Sequence, residues 1–423
     1  MFQQLSQGEK LQPIVKEVEQ QISEVIKSID ERIDENQFRV LKSFQNFKVS
    51  DSHFIPSTGY GYDDIGRDTL EEIYAEVFGG DAGLVRPQII SGTHAISIAL
   101  FGVLRPGDEL LYITGKPYDT LEEIVGIRGT GNGSLKEFGI GYNSIPLNED
   151  GSINYPAVEK AIKPNTKMIG IQRSKGYATR PSFTIEQIEE MIQYVKKIKP
   201  EAIVFVDNCY GEFVEDREPC HVGADLMAGS LIKNPGGGIA KTGGYIVGKK
   251  ELVDACSYRM TSPGIGAEAG ASLYSLQEMY QGFFLAPHVV GQALKGAVFT
   301  AALLERLGMN SNPKWDSKRT DLIQSVQFDD KEKMVKFCQA IQFASPVNSH
   351  VTAYPAYMPG YEDDVIMAAG TFIQGASIEL TADGPIRPPF VAYVQGGLTY
   401  SHVKMAVCIA LNQLLEKGLV QLN

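Results

Sequence analysis

The stretch that decides the fold contains two apolar runs, KMIGIQ (167–172) and AIVFVD (202–207), separated by TIEQIEEMIQYVKKIKP (184–200). The outer runs are continuously apolar, as in strands that are buried on both faces. The segment between them has the apolar spacing of a helix, and Thr184 with Gln187 suits a capping box at its start. A strand, a helix and a second strand in this order predict a parallel βαβ unit within an α/β domain.

Further short apolar runs extend this pattern. We predict strands at PQII (87–90), ELLYIT (109–114) and GYIVG (244–248). Together with the first two runs, they indicate a mostly parallel sheet with helices on both of its faces.

The two ends of the chain have a different pattern. Apolar residues at helical spacing predict an amphipathic helix over residues 9–33, a long helix over 285–308 and a final helix around 401–418, and GTFIQGASIELT (370–381) is strand-like. We therefore expect an N-terminal helical arm (1–60), a large α/β domain (61–300) and a smaller α+β C-terminal domain (301–423).

Composition excludes several classes of function. The chain of 423 residues has a formal net charge of −12, which argues against binding to nucleic acid. No apolar run reaches the ~18 residues of a membrane span, and the first residues lack the features of a signal peptide. We therefore expect a cytoplasmic protein with no membrane partner.

The cysteines and histidines do not indicate a disulfide framework or a metal site. The five cysteines are odd in number, widely spaced and without a CxxC pair, which favours reduced thiols. Cys220 and His221 are adjacent, but the other histidines show no ligand spacing. We expect no metal.

Polar groups collect where the predicted strands end. Ser91, Gly92 and Thr93 follow PQII, and Tyr118 follows ELLYIT. Arg173 and Ser174 follow KMIGIQ. Asp207 ends AIVFVD, and a little later in the chain come Ser230 and Lys233. Each has an ordinary alternative by itself: a helix cap, a half-buried aromatic ring, a turn acid or a solvated lysine. In an open parallel sheet, however, the ends of the strands form the ligand site.

Pyridoxal 5'-phosphate (PLP) requires this set of groups. The cofactor needs a lysine for a Schiff base and a carboxylate that keeps its ring nitrogen protonated. It also needs an anion site at a helix N-terminus and an aromatic ring that stacks on it. Two other phosphate motifs fail: Ala240 precedes Lys241-Thr242 where a P-loop needs Gly, and Lys241 stands where the dinucleotide pattern needs its last Gly.

Lys241 remains a rival of Lys233 for the Schiff base. We prefer Lys233 because it follows the strand end at Ser230 more closely, and because the glycines after it leave room for a bound ring.

At these residues the sequence resembles the fold-type I PLP enzymes of cysteine and methionine metabolism, the cystathionine lyase and methionine gamma-lyase group. It resembles more closely the aluminium resistance proteins, or cystathionine beta-lyase-like proteins, essentially from end to end. The motifs that carry the resemblance are GYGYDDIGRDTLE, RPQIISGTHAI, TGKPYDTLEE, DNCYGEF and GSLIKNPGGG. The resemblance implies the PLP-dependent transferase fold of type I.

Site residues follow from the resemblance. It implies that Lys233 forms the Schiff base, that Asp207 pairs with the pyridine nitrogen and that Tyr118 stacks on the ring. Three residues, Gly92, Thr93 and Ser230, would hold the phosphate. Two more, Tyr60 and Arg67, would reach the phosphate of a neighbouring subunit, and Arg387 would bind the substrate carboxylate. The resemblance also implies a homo-oligomer, either a dimer with shared sites or a tetramer built from such dimers.

The sequence departs from the better-known lyases at two places. Those enzymes carry Ser-x-Thr-Lys at the Schiff base, whereas Ile232 replaces the threonine here. Their arm motif is Arg-x-x-Asn-Pro-Thr, whereas this chain has Gly66-Arg67-Asp68-Thr69. Arg173, Arg180 and Arg259 are rivals of Arg387 for the substrate carboxylate.

The expected reaction is cleavage of a carbon–sulfur bond in an L-amino acid of the cystathionine or methionine type, by β- or γ-elimination. The same groups serve transamination and decarboxylation, so an aminotransferase or another fold-type I enzyme is an alternative. A non-catalytic scaffold with a vestigial cofactor site is a second alternative.

Overall fold

The computed structural model describes residues 1–178, 180–359 and 361–422. Its longer helices alternate with strands through most of the chain. The helices are α1 (Gly8–Gln21), α2 (Ser23–Asn46), α3 (Ile65–Phe78), α4 (Gly92–Val103), α5 (Asp119–Val125), α6 (Tyr155–Ala161), α7 (Ile185–Ile198), α8 (Lys250–Met260), α9 (Leu276–Arg306), α10 (Lys331–Phe343) and α11 (Tyr400–Glu416).

The strands form two sheets. They are β1 (Ala82–Arg86), β2 (Glu109–Tyr112), β3 (Gly141–Ser144), β4 (Thr166–Gln172), β5 (Ile203–Asp207), β6 (Leu226–Ser230), β7 (Gly244–Gly248), β8 (Asn310–Asn312), β9 (Gln324–Gln327), β10 (Val365–Ala368), β11 (Thr381–Pro385) and β12 (Val391–Gln395).

The chain forms two compact units. One consists of Asn36–Leu285, and the other of Met1–Glu35 with Ala286–Asn423, so the boundaries fall within α2 and α9. The predicted division into an arm, a large domain and a small domain at residues 60 and 300 stays a prediction.

The unit Asn36–Leu285 contains a seven-stranded sheet in the order β1-β7-β6-β5-β4-β2-β3. The neighbours from β6 to β3 pair in parallel, and β7 pairs antiparallel with both β6 and β1. The predicted α/β class with a mostly parallel sheet is confirmed, and the strands KMIGIQ and AIVFVD lie next to each other at its centre as β4 and β5.

Alternate residues of the strands face opposite layers. Leu110, Tyr112, Phe205 and Ala228 belong to one core cluster, together with apolar residues of α4 and α8. On the other side, α3 packs on β1 and β7, and the Tyr74 ring lies 5.8 Å from the ring of Tyr245. Burial on both faces explains why these strands are continuously apolar in the sequence.

The helix between β4 and β5 begins as predicted. In α7, Thr184 Oγ1 accepts a hydrogen bond from the Gln187 amide at 3.1 Å, and Gln187 Oε1 accepts one from the Thr184 amide at 2.9 Å. This capping box pairs backbone donors that the first turn of a helix leaves free.

The predicted strand PQII is wrong. The first strand is Ala82–Arg86, and residues 87–89 form a turn in which the Ile89 amide donates to the Arg86 carbonyl at 3.3 Å. Pro87 has no amide hydrogen to offer a sheet ladder, so the strand ends before it. Ile89 is buried without being in a strand, which explains the apolar pattern.

The second unit, Met1–Glu35 with Ala286–Asn423, contains a five-stranded sheet in the order β10-β11-β12-β9-β8, in which every pairing is antiparallel.

The predicted strand over GTFIQGASIELT is wrong for most of its length, because residues 371–380 form turns between β10 and β11. The Glu379 carboxylate accepts hydrogen bonds from the amides of Phe372 at 2.8 Å and Ile373 at 2.9 Å. These amides are therefore taken by a side chain instead of a neighbouring strand.

The helix predicted over residues 9–33 is two helices, α1 and α2, which meet at Ile22. The long helix predicted from residue 285 begins earlier, at Leu276, and the final helix is Tyr400–Glu416. Among the described residues, no helix has both the length and the apolar character needed to cross a bilayer.

Candidate active site

The ends of three neighbouring elements define the site. Asp207 is the last residue of β5 and Ser230 the last of β6, and Asp207 is in register with Ala228. Gly92 begins α4, which packs on β6. Because β5 and β6 are parallel, their carboxyl ends lie at the same edge of the sheet, where ligands of such sheets bind.

Gly92 is the point at which these groups converge. A Cβ atom added to Gly92 would lie 3.1 Å from Cys209 Sγ, 3.3 Å from Ser230 Cβ and 3.9 Å from Lys233 Nζ. The helix start, the strand end and the lysine amine therefore converge on the space beside the Gly92 backbone, where a Cβ atom would lie. Any larger residue at position 92 would fill the space between them.

An anion fits at this helix start. The first amides of a helix have no partner within it, and the helix dipole favours negative charge there. Ser91 caps α4 by accepting the His94 amide at 3.0 Å, and the amides of Gly92 and Thr93, in the first turn, have no partner within the helix. Ser230 Oγ is buried without a hydrogen-bond partner among the described residues. An unpaired buried hydroxyl is costly, so a phosphate group at this position would satisfy it.

The amine of Lys233 is enclosed by acidic and aromatic groups. Its Nζ lies 4.2 Å from the centre of the Tyr210 ring. Burial by itself would lower the pKa of this amine, but its interactions with Cys209, Tyr210 and Asp207 outweigh burial and raise the pKa above its ordinary value. The rival, Lys241, is 72% exposed and forms an ion pair with Glu278.

Asp207 is a buried carboxyl group with a specific partner. Its Oδ1 accepts the amide of Cys209 at 3.2 Å. Burial raises its pKa, while the nearby positive charges of Lys233 and Arg180 and the bond from Cys209 act in the opposite direction. A carboxylate held in such a place has a strong preference for a positively charged or proton-donating partner.

Tyr118 lies at the start of α5, where it is half-buried. A Cβ atom added to Gly176 would lie 2.8 Å from the Tyr118 ring, and the ring of Tyr177 is 6.1 Å away. Gly176 also has a left-handed backbone with a φ of 58°. The loop after β4 therefore supports the Tyr118 ring closely, which suits a stacking platform.

Tyr60 and Arg67 lie in the segment before and within the first turn of α3. Tyr60 is 72% exposed, and its ring stacks on that of Tyr62 with centroids 5.3 Å apart. The Arg67 guanidinium is buried and donates to the carbonyl oxygens of Gly61 and Gly270, the latter at 3.1 Å. Arg67 thus supports the turn that carries Tyr62, and the role predicted for both residues in a neighbouring subunit stays a prediction.

The arginines considered for the substrate carboxylate lie in different surroundings. Arg387 belongs to the second unit, where it is 47% exposed by its side chain and pairs with Asp363 at 3.1 Å. Arg173 is fully buried and pairs with Glu215 at 2.9 Å and Glu218 at 3.3 Å, so it is not available to a substrate.

The remaining two rivals, Arg180 and Arg259, lie in the unit Asn36–Leu285. Arg180 donates to the carbonyl oxygens of Pro181 at 3.0 Å and Gln172 at 3.1 Å, and Arg259 lies over the ring of Phe101. Arg387 therefore stays a prediction, and Arg173 is removed from the rivals.

Sequence reasoning missed three residues around Lys233. They are Cys209, Tyr210 and Glu212, all within the motif DNCYGEF. Glu212 is fully buried, with Oε1 accepting the Tyr245 hydroxyl at 2.7 Å and Oε2 without a hydrogen-bond partner among the described residues. The only sequence signal was their position after a strand that ends in an acid, and it does not show which way the side chains point.

Comparison with known proteins identifies the family. The family model described as methionine gamma-lyase matches residues 11–415. The chain belongs to the methionine gamma-lyase family. An uncharacterized protein of Bacillus subtilis is 76% identical over 421 residues, which cover 99% of this chain and 100% of that protein.

Solved structures of relatives have the same fold over nearly the whole chain. A Listeria monocytogenes protein, described as a candidate cystathionine beta-lyase involved in aluminium resistance, has a TM-score of 0.94 and 70% identity, with 95% of this chain and 99% of that chain covered. A carbon-sulfur lyase involved in aluminium resistance from Clostridium novyi has a TM-score of 0.92 and 48% identity, with 96% of each chain covered. The predicted resemblance to this group is confirmed.

A more distant structure has the same fold. A pyridoxal-5'-phosphate-dependent protein of Escherichia coli has a TM-score of 0.61 at 16% identity, and 92% of this chain and 97% of that chain are covered. This chain therefore has the fold of PLP-dependent enzymes of type I, as predicted.

Glu212 makes the stability of the protein depend on pH. Burial raises the pKa of its carboxyl group to about 8. The unfolded chain releases this proton at a lower pH than the folded chain. The protonated Glu212 therefore stabilises the folded state fully in acid, and this stabilisation is lost as the pH rises towards 8.

We expect Glu212→Gln, which keeps the shape of the protonated acid, to remove this loss. Between about pH 6 and pH 8.5, the wild type should lose roughly 2 kcal/mol more free energy of unfolding than the variant, as measured by urea unfolding at both pH values. Glu201→Gln, at a surface site that is 72% exposed, serves as the control and should behave like the wild type. Equal losses in wild type and Glu212→Gln would contradict a protonated Glu212.

Proposed function

We propose that this protein is a PLP-dependent carbon–sulfur lyase, which cleaves a thioether of the cystathionine or methionine type by β- or γ-elimination. The observation that carries the proposal is the convergence of Gly92, Ser230 and Lys233 around a space that lacks a partner for the Ser230 hydroxyl. Membership of the methionine gamma-lyase family supports both the cofactor and the reaction class.

The residues at the sheet edge fit the cofactor by their chemistry. The amides of Gly92 and Thr93, with the Ser230 hydroxyl, would hold the phosphate at the start of α4. Asp207 would pair with the ring nitrogen and Tyr118 would stack on the ring. Lys233 would hold the aldehyde carbon. When bound, the cofactor supplies a ring that withdraws electrons from the α-carbon of an amino acid.

The protein's own groups then handle the protons. The amine of Lys233 accepts the proton from the α-carbon, and the acidic groups around it stabilise the resulting ammonium. Asp207 keeps the ring nitrogen protonated, because a buried carboxylate favours a charged partner. The hydroxyl of Tyr118 carries a proton towards the departing sulfur, and Arg387 binds the substrate carboxylate.

Ile232 stands where the better-known lyases have threonine, but the anion site keeps other hydrogen-bond donors. One hydroxyl is absent compared with the better-known lyases, but the amides at the helix start and Ser230 remain. Backbone amides at a helix start donate hydrogen bonds to a bound anion in such sites.

Products of the reaction test the proposal. With L-cystathionine, we expect ammonia, a 2-oxo acid and a free thiol in equal amounts. Pyruvate with homocysteine would assign β-elimination, and 2-oxobutyrate with cysteine would assign γ-elimination. Stoichiometric transfer of the amino group to an added 2-oxo acid, without a thiol, would replace the lyase by an aminotransferase. A protein that binds no PLP would be a scaffold instead.

Covalent labelling tests the assigned lysine. Treatment of the PLP-loaded wild type with borohydride should attach the cofactor to the peptide that contains Lys233. We expect Lys233→Ala to lose this label completely and Lys241→Ala to keep it, because the Lys241 amine is exposed and paired with Glu278. Peptide mass spectrometry measures both results. A label on Lys241, or one that persists in Lys233→Ala, would remove Lys233 from the mechanism.

We also propose that the protein is a homo-oligomer whose subunits share their sites. An exposed apolar surface supports this proposal. It consists of Tyr60, Tyr62, Ile65, Leu273 and Tyr274. The Gly270 amide donates to the Tyr60 carbonyl at 2.8 Å, so the segments that carry these residues are joined. Water contact of such a surface is unfavourable, and a second copy would remove it.

Sedimentation of the Ile65→Arg variant tests this surface. A buried arginine without a partner opposes association, so we expect the wild type to sediment as a dimer or tetramer and the variant to have a lower mass. An unchanged mass would place the interface elsewhere, and a monomeric wild type would remove the role proposed for Tyr60 and Arg67.

A further inference from the structure

The Lys233 amine lies over the aromatic ring of Tyr210, a residue with no role in the proposed mechanism. The distance from Nζ to the centre of the ring is 4.2 Å. This is well inside the range of about 6 Å in which the negative face of an aromatic ring attracts an ammonium group. The ring therefore faces the amine that accepts the proton of the α-carbon in the proposed reaction.

The backbone at Tyr210 is held in an unfavourable conformation. Its φ is 72°, in the left-handed region that residues with a side chain seldom adopt. Such a residue persists only where its surroundings fix it, and these residues are concentrated at functional sites.

Arg173 fixes the chain on both sides of Tyr210. Before it, the Asn208 side chain accepts a hydrogen bond from Arg173 Nη1 at 2.9 Å and donates to Glu218 at 3.0 Å. After it, Gly211 lies so close to Arg173 that an added Cβ would be 2.6 Å from the side chain. The buried guanidinium thus fills the place that a side chain at position 211 would occupy.

A direct bond joins the turn that carries the amine to the turn that carries the ring. The side chain of Asn234, the residue after Lys233, donates to the Glu212 carbonyl at 2.9 Å. Glu212 is two residues beyond Tyr210. The distance between ring and amine is therefore set by bonds on both turns and does not depend on chance contact of two flexible side chains.

We infer that Tyr210 is a positioning residue for Lys233, whose ring face holds the amine in place and stabilises it in the protonated state. The inference rests on the proposed function, in which the proton leaves the α-carbon of the substrate for Nζ and the electron pair of that bond stays with the carbon. The ring acts on the ammonium that this transfer forms, and it needs no contact with the substrate.

The cofactor-free protein provides a test that does not use enzyme activity. At about pH 9, an amine-directed reagent such as acetic anhydride modifies only the neutral amine, so the rate at Lys233 reports how strongly its proton is held. We expect Tyr210→Leu to increase this rate about three- to ten-fold, because it removes the ring face. Tyr210→Phe keeps the face and should stay near the wild type. The rate at Lys241 serves as the internal reference in each variant.

A shape-conserving variant covers the case in which Tyr210→Leu does not fold. Phenylalanine and pentafluorophenylalanine at position 210 have nearly the same size, but fluorination reverses the charge of the ring face. We expect the fluorinated ring to increase the labelling rate at Lys233 relative to phenylalanine, by about three-fold or more.

The outcomes separate this inference from the proposed function. Equal rates with the two rings would show that Tyr210 only fills space and would overturn the inference, even if Lys233 still carried the borohydride label. Loss of that label from Lys233 would instead remove the proposed function. An effect of fluorination that appeared equally at Lys241 would also overturn the inference, because the change would then not be local.

Discussion

The buried guanidinium of Arg173 is the interaction on which the site depends. It lies after β4 and reaches across to the segment after β5, where Glu215, Glu218 and Asn208 surround it. Removing one partner of a buried ion pair costs far more than a surface pair contributes, because the other charge is left without water or a counter-charge. The segment is therefore held by the pairs of Arg173 with Glu215 and Glu218, and the same segment carries Cys209, Tyr210 and Glu212.

The site beside this segment contains one basic group and two acidic ones. Lys233 brings a positive charge into a buried region with Asp207 and Glu212, and the pKa of each of these acids is raised chiefly by burial. At Asp207 the positive charges of Lys233 and Arg180 act against burial, and at Glu212 the hydrogen bond from the Tyr245 hydroxyl acts against it. Asp207 thus lies beside positive charges, whereas Glu212, with a pKa of about 8, acts mainly as a neutral group. Two carboxyl groups of similar chemistry are given different roles by their surroundings.

The fold explains why one unit contains most of the candidate residues. Parallel strands bring their carboxyl ends to one edge, so residues far apart in the chain meet there without long loops. The helix that follows β1 begins at the same edge, and its first amides add an anion site that no side chain has to provide. Gly92 leaves this point open, because an added Cβ would lie 3.1 to 3.9 Å from Cys209, Ser230 and Lys233 and would fill the space between them. The predicted substrate residue Arg387 belongs to the other unit and is held by Asp363.

The sequence by itself determined the alternation of strands and helices, the α/β class, and the order in which Gly92, Tyr118, Asp207 and Lys233 follow the elements of the sheet. Periodicity and the rule that ligands lie at the ends of parallel strands were sufficient for this, because both depend on neighbours along the chain.

Only the tertiary structure decided which lysine lies among buried acids and which one is exposed, that PQII is a turn, that Arg173 is buried within an ion-pair network and that Tyr210 faces the amine. Burial, charge pairing and the direction of a side chain depend on residues that are distant in sequence, and no local pattern encodes where those residues meet.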